Sequence, residues 1–289
     1  MPDIRDVIII GGSYAGISAG LMLARGKSCV LVIDAGERRN RFAASAHGLV
    51  AHDGDDPAAI WHRGKAQLLA YPTVQWREDR VLRAAAVGDH FEIAVEGEMI
   101  ASTCIVLTTG VVDELPAITG LAERWGRSVF HCPYCHGYEL GDGPIGVIAT
   151  SPMSVHQALM LPQWAPTTYF TRGMFEPTAD ELAQLERRDV AIVRTPIDAI
   201  EGHARVANLD FAGVFVASTP KISPLASQLG LELDATPMGS FVKTDPMMKA
   251  TSVRGVFAAG DTAMGANIAM AIGDGARAGA GAHRLLMFG

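Results

Sequence analysis

The chain has 289 residues, a formal net charge of −7 and 49% hydrophobic residues. That length leaves room for about two domains with sizeable cores, and the acidic balance argues against a nucleic-acid partner, which calls for a basic face. No apolar run reaches the roughly 18 residues of a membrane span, and the opening MPDIRDVIIIGG lacks a signal-peptide layout, so a cytoplasmic protein without a membrane partner is expected.

Taken in chain order, the first predicted element is the apolar run DVIII (6–10), which reads as a buried parallel strand. It runs into GGSYAG (11–16), a helical pattern, and a second apolar run, CVLVID, that ends in Asp34. Strand, glycine-rich turn, helix, strand and acid make a Rossmann start. Gly11 permits the tight turn, Gly16 close helix packing, and Asp34 can accept a ribose hydroxyl. Ser13 stands where the middle glycine usually lies. The alternative is a glycine-rich turn in an α/β domain without a ligand.

Next comes CPYCH, with Cys132 and Cys135 two residues apart and His136 directly after. Three roles compete for the cysteines. A zinc site needs four ligands, usually from a second pair, and the other two cysteines, Cys29 and Cys104, fall in predicted strands of the first domain. A structural bridge would close too short a loop to stabilise much. The spacing fits a redox pair better, so no metal site is expected. Placement at a helix start would favour the thiolate, the form that attacks disulfides. His136 is placed to shuttle a proton near neutrality; the alternative is a surface histidine. Glu139 reads as a first-turn helix residue.

A second strand–turn–helix follows near residue 145, in PIGVIATSPMSVHQALML. Its turn, ATSPMS, has no glycine, and Pro152 removes a donor N–H where a phosphate would need one. The scaffold of a nucleotide domain is expected here without its phosphate cradle. Near the C-terminus, GVFAAGD (255–261) reads as a strand stopping at Gly260 and Asp261, and a small-residue helix follows.

In this order the motifs resemble the low-molecular-weight thioredoxin reductase family of flavoproteins. DVIIIGGSYAGISAGLMLAR resembles the family's N-terminal FAD motif, IVLTTGVVDELPAITG its exit from the FAD domain, CPYCHGYE its dithiol, and GVFAAGDTAMGANIAMAIGDGARAG its C-terminal flavin motif. Where ordinary thioredoxin reductases carry Asp after the second cysteine, this chain carries His136; CPYCHG is similar to the dithiol-oxidase branch. The family's NADPH glycines would align with Ala149 to Ser154, where none occurs, and its basic phosphate clamp with Thr171, Arg172 and Gly173, where one arginine is left.

The resemblance implies an α/β protein of two Rossmann-like, three-layer domains. A discontinuous FAD domain would take 1–116 and 244–289, and an inserted central domain, 117–243, would carry the dithiol. It implies FAD contacts at Gly11, Gly12, Ser13, Gly16, Asp34, Thr109 and Gly110, and at Gly260, Asp261, Asn267, Ile268 and Ala269. It also implies contacts in the His47–Gly54 segment, with His52 and Asp53. Arg39 and Arg41 lie nearby in the sequence, where either a phosphate contact or a solvated arginine is expected. Cys132 would exchange with substrate and Cys135 would face the flavin. A homodimer is implied as well. The first functional expectation is an FAD-dependent oxidase that turns a small dithiol or protein thiol into a disulfide, with molecular oxygen as acceptor. The alternatives are a disulfide reductase fed by NADPH or another donor, and a flavin-binding protein without turnover.

Overall fold

The computed structural model describes residues 4–265 and 267–289. The chain forms two compact units, one of residues 1–41, 49–112 and 221–289, the other of 42–48 and 113–220.

The first unit opens with β1 (Arg5–Ile10), α1 (Tyr14–Arg25), β2 (Val30–Asp34), α2 (Pro57–Leu69) and β3 (Val74–Glu78). A meander, β4 (Arg83–Val87) and β5 (His90–Val95), leads into the long β6 (Glu98–Leu107). Strands β3, β2, β1 and β6 are parallel in that order, while β5 and β4 continue the sheet antiparallel beyond β6. Alternation along β1 sends Val7 and Ile9 into one apolar layer with Ala19 and Leu23 of α1, and Ile8 and Ile10 into another with Phe91 and Ile93 of β5. Burial on both faces is why DVIII reads as a continuous apolar run.

The second unit follows β7 (Val111–Glu114), which spans the crossing. It contains β8 (Val129–Phe130), the one-turn helix α3 (Pro133–His136), β9 (Ile145–Ile148), α4 (Met153–Met160), β10 (Thr167–Phe170), α5 (Ala179–Glu186) and β11 (Ala191–Val193). A short hairpin, β12 (Arg205–Val206) and β13 (Leu209–Asp210), precedes β14 (Gly213–Val216). Its sheet is parallel throughout, in the order β11-β10-β9-β14-β8, and is buried on both faces.

After β15 (Thr219–Ile222) the chain re-enters the first unit through α6 (Leu225–Gln228), β16 (Leu233–Thr236), β17 (Gly239–Val242), β18 (Val256–Ala258) and α7 (Ile268–Phe288). β18 extends the large sheet, parallel to β6. No helix among the described residues is long and apolar enough to cross a membrane.

The return crossing lies at 220/221, not at the expected 243/244. The cause is apolar burial: Leu225, Ala226, Leu229, Leu231 and Val242 pack with Ile8, Ile10 and Ile33 in the core of the first unit. Residues 42–48, expected in the first domain, cluster with the second unit.

Candidate functional site

In the first unit the glycine-rich turn is built as its sequence suggests. Gly11 has φ +104°, and a Cβ there would lie 2.3 Å from the Thr108 carbonyl oxygen; a Cβ on Gly16 would lie 2.0 Å from the Gly11 oxygen. Thr108 Oγ1–H reaches the oxygens of Ile10 and Gly11, at 3.1 and 2.7 Å. Ser13 is the N-cap of α1, but its side chain makes no cap hydrogen bond. The first turn therefore keeps N–H groups for another acceptor, the usual arrangement for a phosphate. Asp34 is buried, and its Oδ1 accepts the Gly12 N–H at 2.9 Å. One carboxylate oxygen thus braces the turn.

The remaining first-unit candidates gather at the same sheet end. Arg39 Nη1 pairs with Asp261 Oδ2 at 2.9 Å. Thr262, which sequence reasoning missed, donates to the Gly110 oxygen at 3.1 Å and lies 3.1 Å from Thr109 Oγ1, so it ties the β6 exit to the Gly260–Ala263 turn. Asn267 caps α7 through the Met270 N–H, and Ile268 and Ala269 are its first helical residues, ahead of the first intrahelical bond. Arg41 is turned to the Arg38 carbonyl at 2.8 Å. His52 pairs with Asp55 at 2.9 Å within a loop where Asp53 is exposed. Arg38, not singled out from the sequence, lies 4.7 Å from the Trp61 ring centroid and keeps a buried Nη1 without a hydrogen-bond partner. Nothing marked it beforehand except its place between Asp34 and Arg39.

The dithiol lies in the second unit. Cys132 is the N-cap of α3, Pro133 its first residue, and the Cys135 N–H donates to the Cys132 oxygen at 3.2 Å. The two sulfurs are 2.7 Å apart and unbridged. The helix is one turn, so the expected macrodipole has almost no length over which to build. Among the described residues, no group of three His, Cys, Asp or Glu is placed to hold an ion. His136 stacks on Phe130, with centroids 4.3 Å apart. Burial pushes its imidazole below the ordinary value, with Glu139 pulling it up and His47 pulling it down by less. At neutral pH the ring is a neutral proton acceptor. Gln157 of α4, also missed, donates from Nε2 to the His131 oxygen at 2.8 Å and so anchors the residue before Cys132. Ser218 Oγ–H reaches Asp113 at 2.6 Å and lies 3.4 Å from His131 Nδ1.

The second Rossmann-like turn is closed by its own side chains. Ser154, fully buried, accepts from the N–H groups of Thr150 and Ser151 at 3.0 and 3.3 Å. The N-cap of α4 is Pro152, which has no N–H. Arg172 has φ +55° and its Nη1 points to the Ala149 oxygen at 3.4 Å. Glu176 accepts from Thr171 and Arg194; the Thr171 hydroxyl chiefly holds its carboxyl below the usual range. Where a 2′-phosphate clamp would stand, one arginine faces a carbonyl and another a carboxylate.

The sequence profile of the pyridine nucleotide-disulphide oxidoreductase family matches residues 5–278. An oxidoreductase from Agrobacterium tumefaciens of known structure is 49% identical, with a TM-score of 0.94 over 99% of each chain. Thioredoxin reductase tcpT of Claviceps purpurea is 33% identical over 96% of this chain and 92% of its own. Thioredoxin reductase sirT of Leptosphaeria maculans is 31% identical over 98% and 94% respectively. FAD, the flavin cofactor this family carries, fits the first unit. The turn at Gly11–Gly16 has no space for a Cβ at either glycine, its helix start is uncapped by Ser13, and an orphaned Arg38 nitrogen lies on the loop after Asp34.

Proposed function

Because the chain belongs to the pyridine nucleotide-disulphide oxidoreductase family, we propose that it is a thiol–disulfide oxidoreductase that oxidises a small dithiol or protein thiol through Cys132 and Cys135, with molecular oxygen as final acceptor. FAD is its cofactor, and when bound it supplies a two-electron relay between the dithiol and the final acceptor. Gly11, Gly12, Ser13, Gly16, Asp34, Arg38, Arg39 and the Gly260–Ala263 turn are the residues that would hold it. The same reading takes the working form as a homodimer in the cytoplasm.

The chemistry at the cysteines is balanced exchange. A substrate thiol loses a proton and its thiolate attacks the Cys132 sulfur of the closed pair; the Cys132–Cys135 bond breaks and Cys135 leaves as thiolate. The second substrate thiolate then attacks the mixed disulfide and releases Cys132. The substrate has lost two electrons and two protons, and the protein pair has gained the electrons. His136, neutral at working pH, takes and returns protons beside Cys135.

One observation carries the direction: the Ser154 hydroxyl occupies the turn N–H groups that a nicotinamide cofactor's phosphates would need. Anaerobic mixing tests it. A dithiol such as dithiothreitol should bleach the flavin absorbance quickly and NADPH should not, and admitting oxygen should restore the colour and yield peroxide. Fast bleaching by micromolar NADPH would reverse the reading in favour of a disulfide reductase.

A further inference from the structure

On the footing of Cys132 and Cys135 as a redox pair, we propose that Gln157 and Ser218 are positioning residues for Cys132. They hold the peptide that leads into it and so favour its closure onto Cys135. That peptide carries the His131 carbonyl, and Gln157 Nε2 donates to its oxygen at 2.8 Å. The His131 ring is held separately, with Nδ1 3.4 Å from Ser218 Oγ. Ser218 has one hydroxyl hydrogen, and the Asp113 carboxylate takes it at 2.6 Å. Ser218 therefore presents a lone pair to the ring, and Nδ1 of His131 carries the hydrogen of that contact. At 3.4 Å the contact orients the ring rather than locking it.

Both tethers are anchored at the turn that has no phosphate cradle. Gln157 lies in α4, the helix that turn opens, and Ser154 closes its start. Thr150 Oγ1 of the same turn donates to the Ala217 oxygen at 2.7 Å and fixes the residue before Ser218. Gln157 is 6% exposed, and its Oε1 is buried without a hydrogen-bond partner. Burying that oxygen has a desolvation cost that an apolar side chain of similar length would avoid, so packing alone does not account for a glutamine here. What the glutamine adds is the bond from Nε2. On the other side of the pair, α3 fixes Cys135: its N–H donates to the Cys132 oxygen at 3.2 Å, and the Gly137 N–H to the Pro133 oxygen at 2.7 Å. With Cys135 set by the turn, every freedom removed at the 131–132 peptide raises the effective concentration of one sulfur at the other. The sequence hides this, because Gln157 and Ser218 stand 26 and 87 positions beyond His131.

Anaerobic equilibration of the flavin-bound protein with glutathione and glutathione disulfide tests the proposal. Glutathione disulfide takes up two electrons and two protons to give two glutathiones; Cys132 and Cys135 lose them as their sulfurs bond. Acid quenching, alkylation and mass analysis of the peptide that holds both cysteines give the reagent ratio at which half the pair is closed. Gln157→Met keeps the length and loses the donor, and Ser218→Ala loses the hydroxyl. Each should disfavour the closed pair at least about threefold. A merely structural role would lower the melting midpoint and leave that ratio unmoved, and an unmoved ratio in both variants overturns the proposal. A second measurement needs only the folded parent: ¹⁵N NMR of labelled histidines, with the His131 signal identified by its loss in His131→Gln. The reduced protein should show the His131 hydrogen on Nδ1, and a hydrogen on Nε2 alone would remove the Ser218 tether. A parent pair that stays open even in glutathione disulfide alone would defeat the redox reading and this inference with it. A pair that closes at the same ratio in parent and variants defeats this inference alone.

Discussion

Arg39 and Asp261, 222 positions apart, close an ion pair of 2.9 Å within the first unit. It joins the loop after Asp34 to the turn that precedes α7, both marked in the sequence as cofactor contacts. Its side chains are 31% and 21% exposed, so the pair itself contributes on the order of 1 kcal/mol or less to folding. Its larger effect is to orient both partners at the sheet end proposed to hold FAD. Arg39→Gln and Asp261→Asn should each weaken FAD retention about tenfold, a loss comparable to one charge-assisted hydrogen bond. Flavin released on ultrafiltration, set against the midpoint of apoprotein melting, separates the two effects. Variants that hold FAD like the parent would reduce the pair to a surface contact.

Gly16 tests the turn more severely. A methyl group there meets the Gly11 oxygen at 2.0 Å, and backbone cannot swing aside as a side chain can. Gly16→Ala should cost at least about 2 kcal/mol and yield protein without flavin. Urea denaturation of the apoprotein gives the first number and visible absorbance the second. Tolerance of alanine with full flavin content would mean that the turn relaxes and is not the cradle described.

Ser154→Ala removes an acceptor shared by two loop N–H groups. The second unit should lose about 1–3 kcal/mol. NADPH should still fail to reduce the flavin, because Pro152 offers no N–H and Arg172 stays turned to the Ala149 carbonyl. Thermal melting and rapid mixing measure the two outcomes. A variant that gains fast NADPH reduction would make Ser154 the sole barrier to the nucleotide.

His136 gives a pH signature with a definite sign. Burial makes the folded ring bind its proton less readily than the unfolded one. Between the lowered folded value and the ordinary value near 6.5 the unfolded chain therefore carries more protons. The stability gained by keeping the ring neutral is complete above about pH 6.5 and is lost as pH falls through the folded value. His136→Gln should flatten this part of the stability profile. His136→Ala should keep the flavin but slow its reduction by dithiol at least about tenfold near neutrality, and Cys135→Ser should abolish it. Parent-like rates across pH 6 to 9 in His136→Ala would remove its proton role.

Much of this protein was written locally. GGSYAG needs glycine at Gly11 and Gly16 because backbone atoms crowd both positions, and the spacing of Cys132 and Cys135 brings two sulfurs within 2.7 Å in a single turn. Periodicity likewise marked the buried strands, since a parallel strand covered on both faces must be apolar at every position. The absence of glycine in ATSPMS was equally plain. What occupied that turn was not, because a serine at the second position of a helix carries no mark of the N–H groups it will accept.

Tertiary structure decided the rest, for one physical reason: burial and charge pairing depend on which segments meet, and sequence distance hides that. Residues 225–242 belong to the first unit because their leucines fill its core, although no turn or composition shift marks 220/221 as the crossing. Arg39 found Asp261 and Glu139 found His47 only once the chain had folded. The sequence by itself determined the cofactor turn and the dithiol; the fold determined the neutral state of His136, through burial against Phe130, and the charges that surround it.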